Sequence, residues 1–316
     1  MALKDELFRK FALHPLTAFS GEDLALRYHV SPAEICKAVS GLQSEGFDII
    51  ASQAGYTFTA GNDFLSAEAV SRIVPEITAP VYVFEEIDST NNYAKVLAAQ
   101  DKPHGTLVLA NHQTAGRGRQ GHAFYSPSNS GLYFSLIIRP EHPEYMSRIT
   151  PAAAVSAVEA VYAVTGIRPG IKWVNDLFLG KKKIAGILSE AVTDFAAGKV
   201  SAVIIGIGIN CRTMAFPDDI SDIAGSLEAE GIYRNALAAV LRQRLLHHID
   251  HLDDPAMMDL YRQDSIVLGR QITYTYNNEV YTGLAEAIND DGNILIKKPD
   301  GTVQTLQSGE ISIKDW

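Results

Sequence analysis

Gly116-Arg117-Gly118-Arg119-Gln120-Gly121 has the glycine spacing of a dinucleotide-binding turn, and the residues after it decide against that fold. A dinucleotide turn opens directly into a helix and is followed by an acidic residue ~20 positions further on. Here the loop runs into His122-Ala123-Phe124-Tyr125-Ser126-Pro127-Ser128-Asn129-Ser130-Gly131, which cannot start a helix, and the next acid is Glu141. The glycines are therefore read as letting the backbone approach a ligand closely. Arg117 and Arg119 supply fork-shaped donors for a phosphate or carboxylate.

Outward from this loop, strands and helices alternate without a regular βαβ repeat. Strands are predicted at Val81–Glu85, Thr106–Ala110, Leu132–Ile138, Gly170–Val174, Lys183–Glu190 and Val200–Ile209. Helices are predicted from Thr90, at Ala152–Val164, near Arg234–His248 and at Ala256–Ser265. Several strands follow one another directly, so the expected core, residues 81–268, is a mixed sheet of the α+β class with helices mainly on one face. In front, residues 1–62 read as small helices and a hairpin: Lys4–Ala12, then Gly21–Tyr28 capped by Ser20, then a helix capped by Ser31. Pro32 at its first position and Glu34 complete a capping box, and Gly46 ends it. Short strands follow at Ile49–Ile50 and Tyr56–Phe58, giving the outline of a winged helix-turn-helix. Residues 63–80 form a linker with a short helix from Ser66 to about Val74. From Gly269, alternating strands separated by turns at Asn277-Asn278, Asp291-Gly292 and Asp300-Gly301 suggest a small SH3-like β-barrel over residues 269–316.

The 316-residue length fits two or three domains, and 47% hydrophobic with 20% charged residues excludes a disordered or repetitive chain. No apolar run approaches the ~18 residues of a membrane span, and the first residues lack the apolar core of a signal peptide. Two cysteines, Cys36 and Cys211, are too few for a disulfide framework. The expectation is a cytoplasmic protein that does not engage membranes. The net charge of −10 gives no bulk attraction to nucleic acid, so any anion site must be a local concentration of cations. Two segments supply one: Arg117 with Arg119, and Lys172 with Lys181, Lys182 and Lys183. Lys172-Trp173-Val174-Asn175-Asp176 reads as a strand entering a turn, with Lys183–Glu190 as the returning strand. Lys181 and Lys182 are read as solvated turn charges. His247 and His251 have i,i+4 spacing, but Asp250 and Asp253 beside them mark a polar helix face rather than a metal site.

The motifs Asp88-Ser89-Thr90-Asn91, Gln113-Thr114-Ala115-Gly116-Arg117-Gly118-Arg119, Lys172-Trp173-Val174-Asn175-Asp176, Lys183-Ile184-Ala185-Gly186-Ile187-Leu188 and Gly206-Ile207-Gly208-Ile209-Asn210 resemble, in order and spacing, those of the biotin–protein ligases. Gly309-Glu310-Ile311-Ser312-Ile313 resembles that family's C-terminal signature. The helix-turn-helix in front resembles the bifunctional members, which are both ligase and biotin operon repressor.

The resemblance implies a central domain of the biotin/lipoate ligase type that uses ATP, biotin and Mg²⁺. It implies two steps, formation of biotinyl-5′-AMP and transfer to a lysine. The partner implied is the biotin carboxyl carrier domain of acetyl-CoA carboxylase or pyruvate carboxylase. A homodimer and operator DNA are implied as well. The biotin set carried over is Ser89, Thr90, Asn91, Gln113, Arg117, Gly118, Arg119, Lys183 and Gly186. The nucleotide set is Arg117, Arg119, Phe124, Lys172, Asn175, Asn210 and Lys314, with Phe216–Leu227 as the loop covering the adenylate. Lys183, Arg119 and Asp176 carry the chemistry, Asp176 facing either the attacking amine or Mg²⁺. Ser31 and Lys37 face DNA. Phe124 stands where the family usually has tryptophan. Two other functions fit parts of the pattern: a ligand-sensing transcription factor without ligase activity, and a lipoate–protein ligase.

Overall fold

A computed structural model of the chain describes residues 2–194, 198–277 and 279–314. At the N-terminus, α1 (Leu3–Leu13), α2 (Gly21–Tyr28) and α3 (Pro32–Ser44) bury Leu7, Phe8, Phe11, Leu24, Ile35, Val39 and Leu42 against one another. The caps are those expected. Ser20 Oγ accepts from the Asp23 N–H, and Ser31 and Glu34 bond reciprocally in a capping box. β2 (Ile49–Ser52) and β3 (Gly55–Phe58) form the hairpin. A two-residue strand, β1 (Ala18–Phe19), pairs with β3 and makes a three-stranded sheet; it is too short to leave a sequence pattern.

The connector begins at a buried ion pair and carries α4 (Ala67–Ile73). Asp63 accepts from the Arg234 backbone N–H at 2.8 Å and from Arg234 Nε at 2.7 Å. Arg212 also bonds Asp63. Arg234 opens α7 (Arg234–Asp250), so the Asp63 carboxylate sits on that helix's N-terminus from 171 residues away and satisfies a donor the helix leaves open.

The central sheet has the order β4-β5-β6-β10-β9-β8-β7. Its strands are β4 (Val81–Ile87), β5 (Leu107–Gln113), β6 (Gly131–Ile138), β7 (Gly170–Lys172), β8 (Asp176–Leu179), β9 (Lys182–Asp194) and β10 (Lys199–Asn210). Only β4 and β5 are parallel. Both faces are covered, which explains why β6 is buried at every position and reads as a continuous apolar run. One face packs on α6 (Ile149–Thr165) and α7, with α8 (Pro255–Gln263) against α6. The other holds α5 (Thr90–Ala99), whose Ala94, Leu97 and Ala98 meet Val108, Ile137, Ala202 and Ile204.

Two features correct the sequence reading. Lys172 and Lys183 do not end a single hairpin, because β8 intervenes. It pairs with β7 on one side and, through a Gly180-Lys181 turn with Gly180 at φ +57°, with β9 on the other. The C-terminal strands β11 (Gln271–Tyr276), β12 (Glu279–Ile288), β13 (Ile294–Lys297), β14 (Val303–Leu306) and β15 (Ile311–Ile313) form a sheet ordered β14-β13-β12-β11-β15. Among the described residues its end strands do not pair, so the expected barrel is not closed. Its Asp291-Gly292 turn docks on the central body, where Trp173 Nε1 donates to Gly292 O at 2.8 Å. Of the Asn277-Asn278 turn, Asn278 lies outside the described residues. No described helix is long and apolar enough to cross a membrane.

Candidate active site

The Gly116–Gly121 loop makes only a three-residue 3₁₀ turn at Arg119–Gly121 and starts no helix. It folds back on itself: the Phe124 N–H donates to Gly116 O at 2.9 Å, and the Gly118 N–H to His122 O at 2.7 Å. A Cβ at Gly116 would lie 2.6 Å from Ser126 Oγ, so this close approach needs glycine.

Arg119 Nη1 donates to Asn175 Oδ1 at 2.8 Å. Asn175 Nδ2 donates to Asp176 Oδ1 at 3.2 Å, and Asp176 Oδ1 pairs with Lys183 Nζ at 2.7 Å. Lys172 faces Asp176 across the β7–β8 ladder. Burial lowers the Lys172 pKa below the ordinary lysine value and Lys183 adds to this, while Asp176 and Glu310 oppose it. Five expected residues from three separate segments thus form one cationic cluster around a single carboxylate.

Lys183 reaches this cluster because of a bulge. Asp176 pairs with Gly186 and Leu177 with Ala185, but Phe178 pairs with Lys183, so Ile184 is the extra residue. Ile184 and Ala185 are both fully buried, and Lys183 returns to the face of Gly186 and Asp176. A Cβ at Gly186 would lie 3.3 Å from Lys183 Cε, which places both on that face. Without the bulge, strand alternation would aim Lys183 the other way.

A second cluster lies at the start of α5. Ser89, Thr90 and Asn91 are buried. Gln113 Oε1 accepts from the Thr90 N–H at 2.9 Å, and its Nε2 donates to Ser126 Oγ at 2.9 Å. Ser135 Oγ donates to Asn91 Oδ1 at 2.5 Å, and Asn91 Nδ2 donates to Glu190 Oε2 at 2.9 Å. Burial opposes Glu190 ionisation, but bonds from Lys95 and Asn91 outweigh it and hold its pKa below the usual range, with Arg117 contributing. The floor is glycine. A Cβ at Gly206 would lie 2.8 Å from Asn91 Cγ, and one at Gly208 2.6 Å from Phe124 Cζ. Gly208 pairs with Gly186 across the β9–β10 ladder, and Phe124 lies over both.

Asn210 ends β10. Its Nδ2 donates to Gly225 O at 2.9 Å, and its Oδ1 is buried with no partner among the described residues. The loop containing Gly225 is docked directly on β9: the Lys183 N–H donates to Ile223 O at 2.7 Å, and the Gly225 N–H to Lys183 O at 2.9 Å. Lys182 is not a solvated turn charge. Its Nζ donates to Ser221 O at 2.9 Å and Asp222 O at 2.8 Å, whereas Lys181 is exposed.

From the C-terminal sheet, Gly309 O accepts from Arg119 at 3.5 Å and Glu310 lies 3.6 Å from His122. Lys314 is exposed at the end of β15 and its described contact is a backbone bond to Gln271, so the structure does not bring it into the cluster. A cleft of about 380 Å³ opens beside Arg119, lined also by Gln120, Val174, Ile187 and Ser308. The Ser31 hydroxyl is engaged in its helix cap, and Lys37 is exposed on α3. His251 Nδ1 contacts His247 O, and the described residues hold no cluster of three or more metal-ligating side chains.

Sequence reasoning missed Ser135, Glu190 and Lys182. Ser135 left a signal, a small polar side chain inside the apolar run Leu132–Ile138. Lys182 left none, because its partners are backbone carbonyls 39 and 40 residues away.

Comparison with known proteins places these features in context. Residues 83–210 match the model of the biotin/lipoate A/B protein ligase family, and residues 267–314 that of the biotin protein ligase C-terminal domain. The bifunctional ligase/repressor BirA of Bacillus spizizenii is 30% identical, over 98% of each chain. That of Escherichia coli is 28% identical, over 93% of this chain and 92% of its own. Among solved structures, the biotin protein ligase of Aquifex aeolicus in complex with biotin and ATP superposes with a TM-score of 0.64 and 26% identity, covering 74% of this chain and 98% of that one.

Proposed function

Because the chain belongs to the biotin protein ligase family, we propose that it joins biotin to a lysine of a carrier domain in two ATP-dependent steps and also acts as a biotin-responsive repressor. One observation carries the chemical reading. A buried amide-and-hydroxyl slot over glycines lies on the same sheet as a cluster of three cations and one carboxylate. Such a slot suits a small polar ring with both donors and acceptors, and such a cluster suits a carboxylate becoming an acyl phosphate.

Ser89, Thr90, Asn91 and Gln113 receive the ureido ring of biotin. Its carboxylate lies toward Arg117, Gly118 and Arg119 and attacks the α-phosphate of ATP, and pyrophosphate leaves. Lys183 faces the oxygens on which charge builds in that step, and Lys172 adds a second cation. Phe124 stacks on the ligand. The unpartnered Asn210 Oδ1 accepts from the adenine amino group. Asp176 orients Lys183 through their 2.7 Å pair. In the second step it receives the proton of the attacking lysine amine, and AMP leaves. The carrier lysine enters along the cleft beside Arg119.

Mg²⁺ fits as an ion brought by the nucleotide. Asp176 is the available carboxylate, and the contacts described for it fall on Oδ1. A magnesium ion held by one carboxylate and the phosphates would neutralise phosphate charge. The 116–121 loop and the Phe216–Leu227 loop cover the anhydride against water.

Residues 1–62 act as a winged helix-turn-helix, with α3 and the β2–β3 hairpin toward operator DNA. The relatives named ligase/repressor support this over almost the whole chain. Residues 269–316 act as an SH3-like module whose Gly309-Glu310 segment completes the site. A homodimer is the state that binds DNA. The unpaired thiols Cys36 and Cys211 suit a reducing cytoplasm. Biotin is favoured over lipoate because relatives named biotin ligases match 66% and 71% of the chain, and residues 267–314 match the biotin protein ligase C-terminal domain. The test is biotin-dependent exchange of pyrophosphate into ATP. The reading requires exchange with biotin and none with lipoate.

A further inference from the structure

The structure assigns Lys182 as a positioning residue that anchors the adenylate-covering loop to the strand carrying Lys183, a role that rests on the ligase reading above. Beyond Ala185, β9 loses its β10 partner, since their register ends at Ile209–Ala185. The segment Ile223–Gly225 takes over that edge. Lys183 uses both its N–H and its C=O there, and the contact is a parallel bridge to Ala224. Two successive helical turns lead into it, with the Ser221 N–H bonded to Pro217 O and the Ala224 N–H to Ile220 O. The Ser221 and Asp222 carbonyls lie at the C-terminal end of the first of these turns, where the peptide dipoles leave partial negative charge.

The Lys182 ammonium takes both carbonyls, at 2.9 and 2.8 Å. The fit around its stem is close, since a Cβ on Gly225 would lie 2.6 Å from Lys182 Cβ. Gly225 O in turn holds Asn210 Nδ2, and the Leu227 N–H donates to Asn210 O. One side chain therefore fixes a loop that touches the backbone of Lys183 on one side and the adenine-facing Asn210 on the other. Lys182 contacts no reacting atom. Its effect is to keep the loop closed over bound nucleotide, so its loss should act on ATP and adenylate and leave biotin binding alone.

The experiment compares the full chain with Lys182→Ala, Lys182→Arg and Lys181→Ala. Hydrogen exchange on the ligand-free proteins reads the Lys183 and Gly225 amides, with β6 amides as the internal reference. Loss of a charge-assisted pair should speed exchange there about tenfold in Lys182→Ala. Lys182→Arg should restore protection, and Lys181→Ala should match wild type. In the ligase assay, Lys182→Ala should raise the KM for ATP and the release rate of biotinyl-AMP about tenfold at unchanged KM for biotin. Unchanged exchange and release in Lys182→Ala would overturn the assignment. So would equal rises in both KM values with a general fall in β6 protection and no rescue by arginine. Should the wild-type chain form no adenylate, the ligase reading falls, and the exchange arm alone decides the anchor.

Discussion

Replacing Gly206 with alanine puts a methyl group where the floor of the proposed biotin slot has none. The new Cβ would lie 2.8 Å from both Cγ and Nδ2 of Asn91, and closer still to Oδ1. Carbon atoms pack at ~3.5–4.0 Å, so the amide has to retreat by about 1 Å. It is not free to do so. Ser135 holds Oδ1 at 2.5 Å and Glu190 holds Nδ2 at 2.9 Å. Breaking one neutral and one charge-assisted hydrogen bond costs ~2–4 kcal/mol, equivalent to ~10²-fold in biotin affinity. Overpacking takes a further ~1–3 kcal/mol from stability. The backbone at 206 is not left-handed, so the strand itself accepts alanine.

Titration calorimetry with biotin, alongside thermal unfolding, reads both effects. The companion is a double-mutant cycle with Asn91→Ala. Once the amide is gone the methyl has nothing to displace, so the double variant should bind no worse than Asn91→Ala alone. Wild-type biotin affinity in Gly206→Ala, or fully additive losses in the cycle, would refute the placement of the slot.

Lys183→Ala should lower the rate of adenylate formation ~10²-fold or more in a pyrophosphate-exchange assay, as loss of a positioned charge stabiliser does, while Lys181→Ala should leave it unchanged. Arg119→Gly should still make biotinyl-AMP but let it escape, seen as labelling of added albumin; tight retention would remove Arg119 from the phosphate cluster. Glu159 pairs with His248 at 3.0 Å between α6 and α7, and the hydrogen bond from His248, against the cost of burial, holds its pKa below the usual carboxylate range. That stabilisation is present above the unfolded pKa and lost as pH falls through the folded one, so Glu159→Gln should lose ~1 kcal/mol near neutral pH and nothing in acid, read by denaturant unfolding across pH. With Lys37 the lone cation on α3, a single winged helix should bind DNA weakly, so an inverted-repeat operator should be bound by dimers, more tightly with biotin and ATP, and with a shallow salt slope. Equal affinity with and without ligand would sever the coupling.

Some features are decided by neighbouring residues and are legible in the sequence. The loop at 116–121 announced itself as something other than a dinucleotide turn because a helix start needs particular neighbours, and Ser126-Pro127 is not among them. The cap at Ser31 and the buried run at Leu132–Ile138 are likewise decided by adjacent residues. What could not be read depends on register and on distant backbone. β8 is four residues long and opens at Asp176, directly after Asn175, a pair that reads as a turn. The bulge at Ile184 lies within an apolar run whose two faces look alike, so nothing local says that Lys183 returns to the site. Lys182 is one of three consecutive lysines, and only the carbonyls of a loop folded in from elsewhere distinguish it. The C-terminal hairpins were visible from their Asp-Gly turns, but whether a sheet closes depends on its two end strands, β14 and β15, and no local pattern records that.

The central claim is tested most directly by incubating the purified chain with ATP, Mg²⁺, labelled biotin and a purified biotin carboxyl carrier domain, with labelled lipoate as the control. The account predicts one biotin per carrier lysine, with AMP and pyrophosphate released in step with it, and loss of the label in Lys183→Ala. Transfer of lipoate in place of biotin, or no ATP-dependent transfer of biotin, would contradict it.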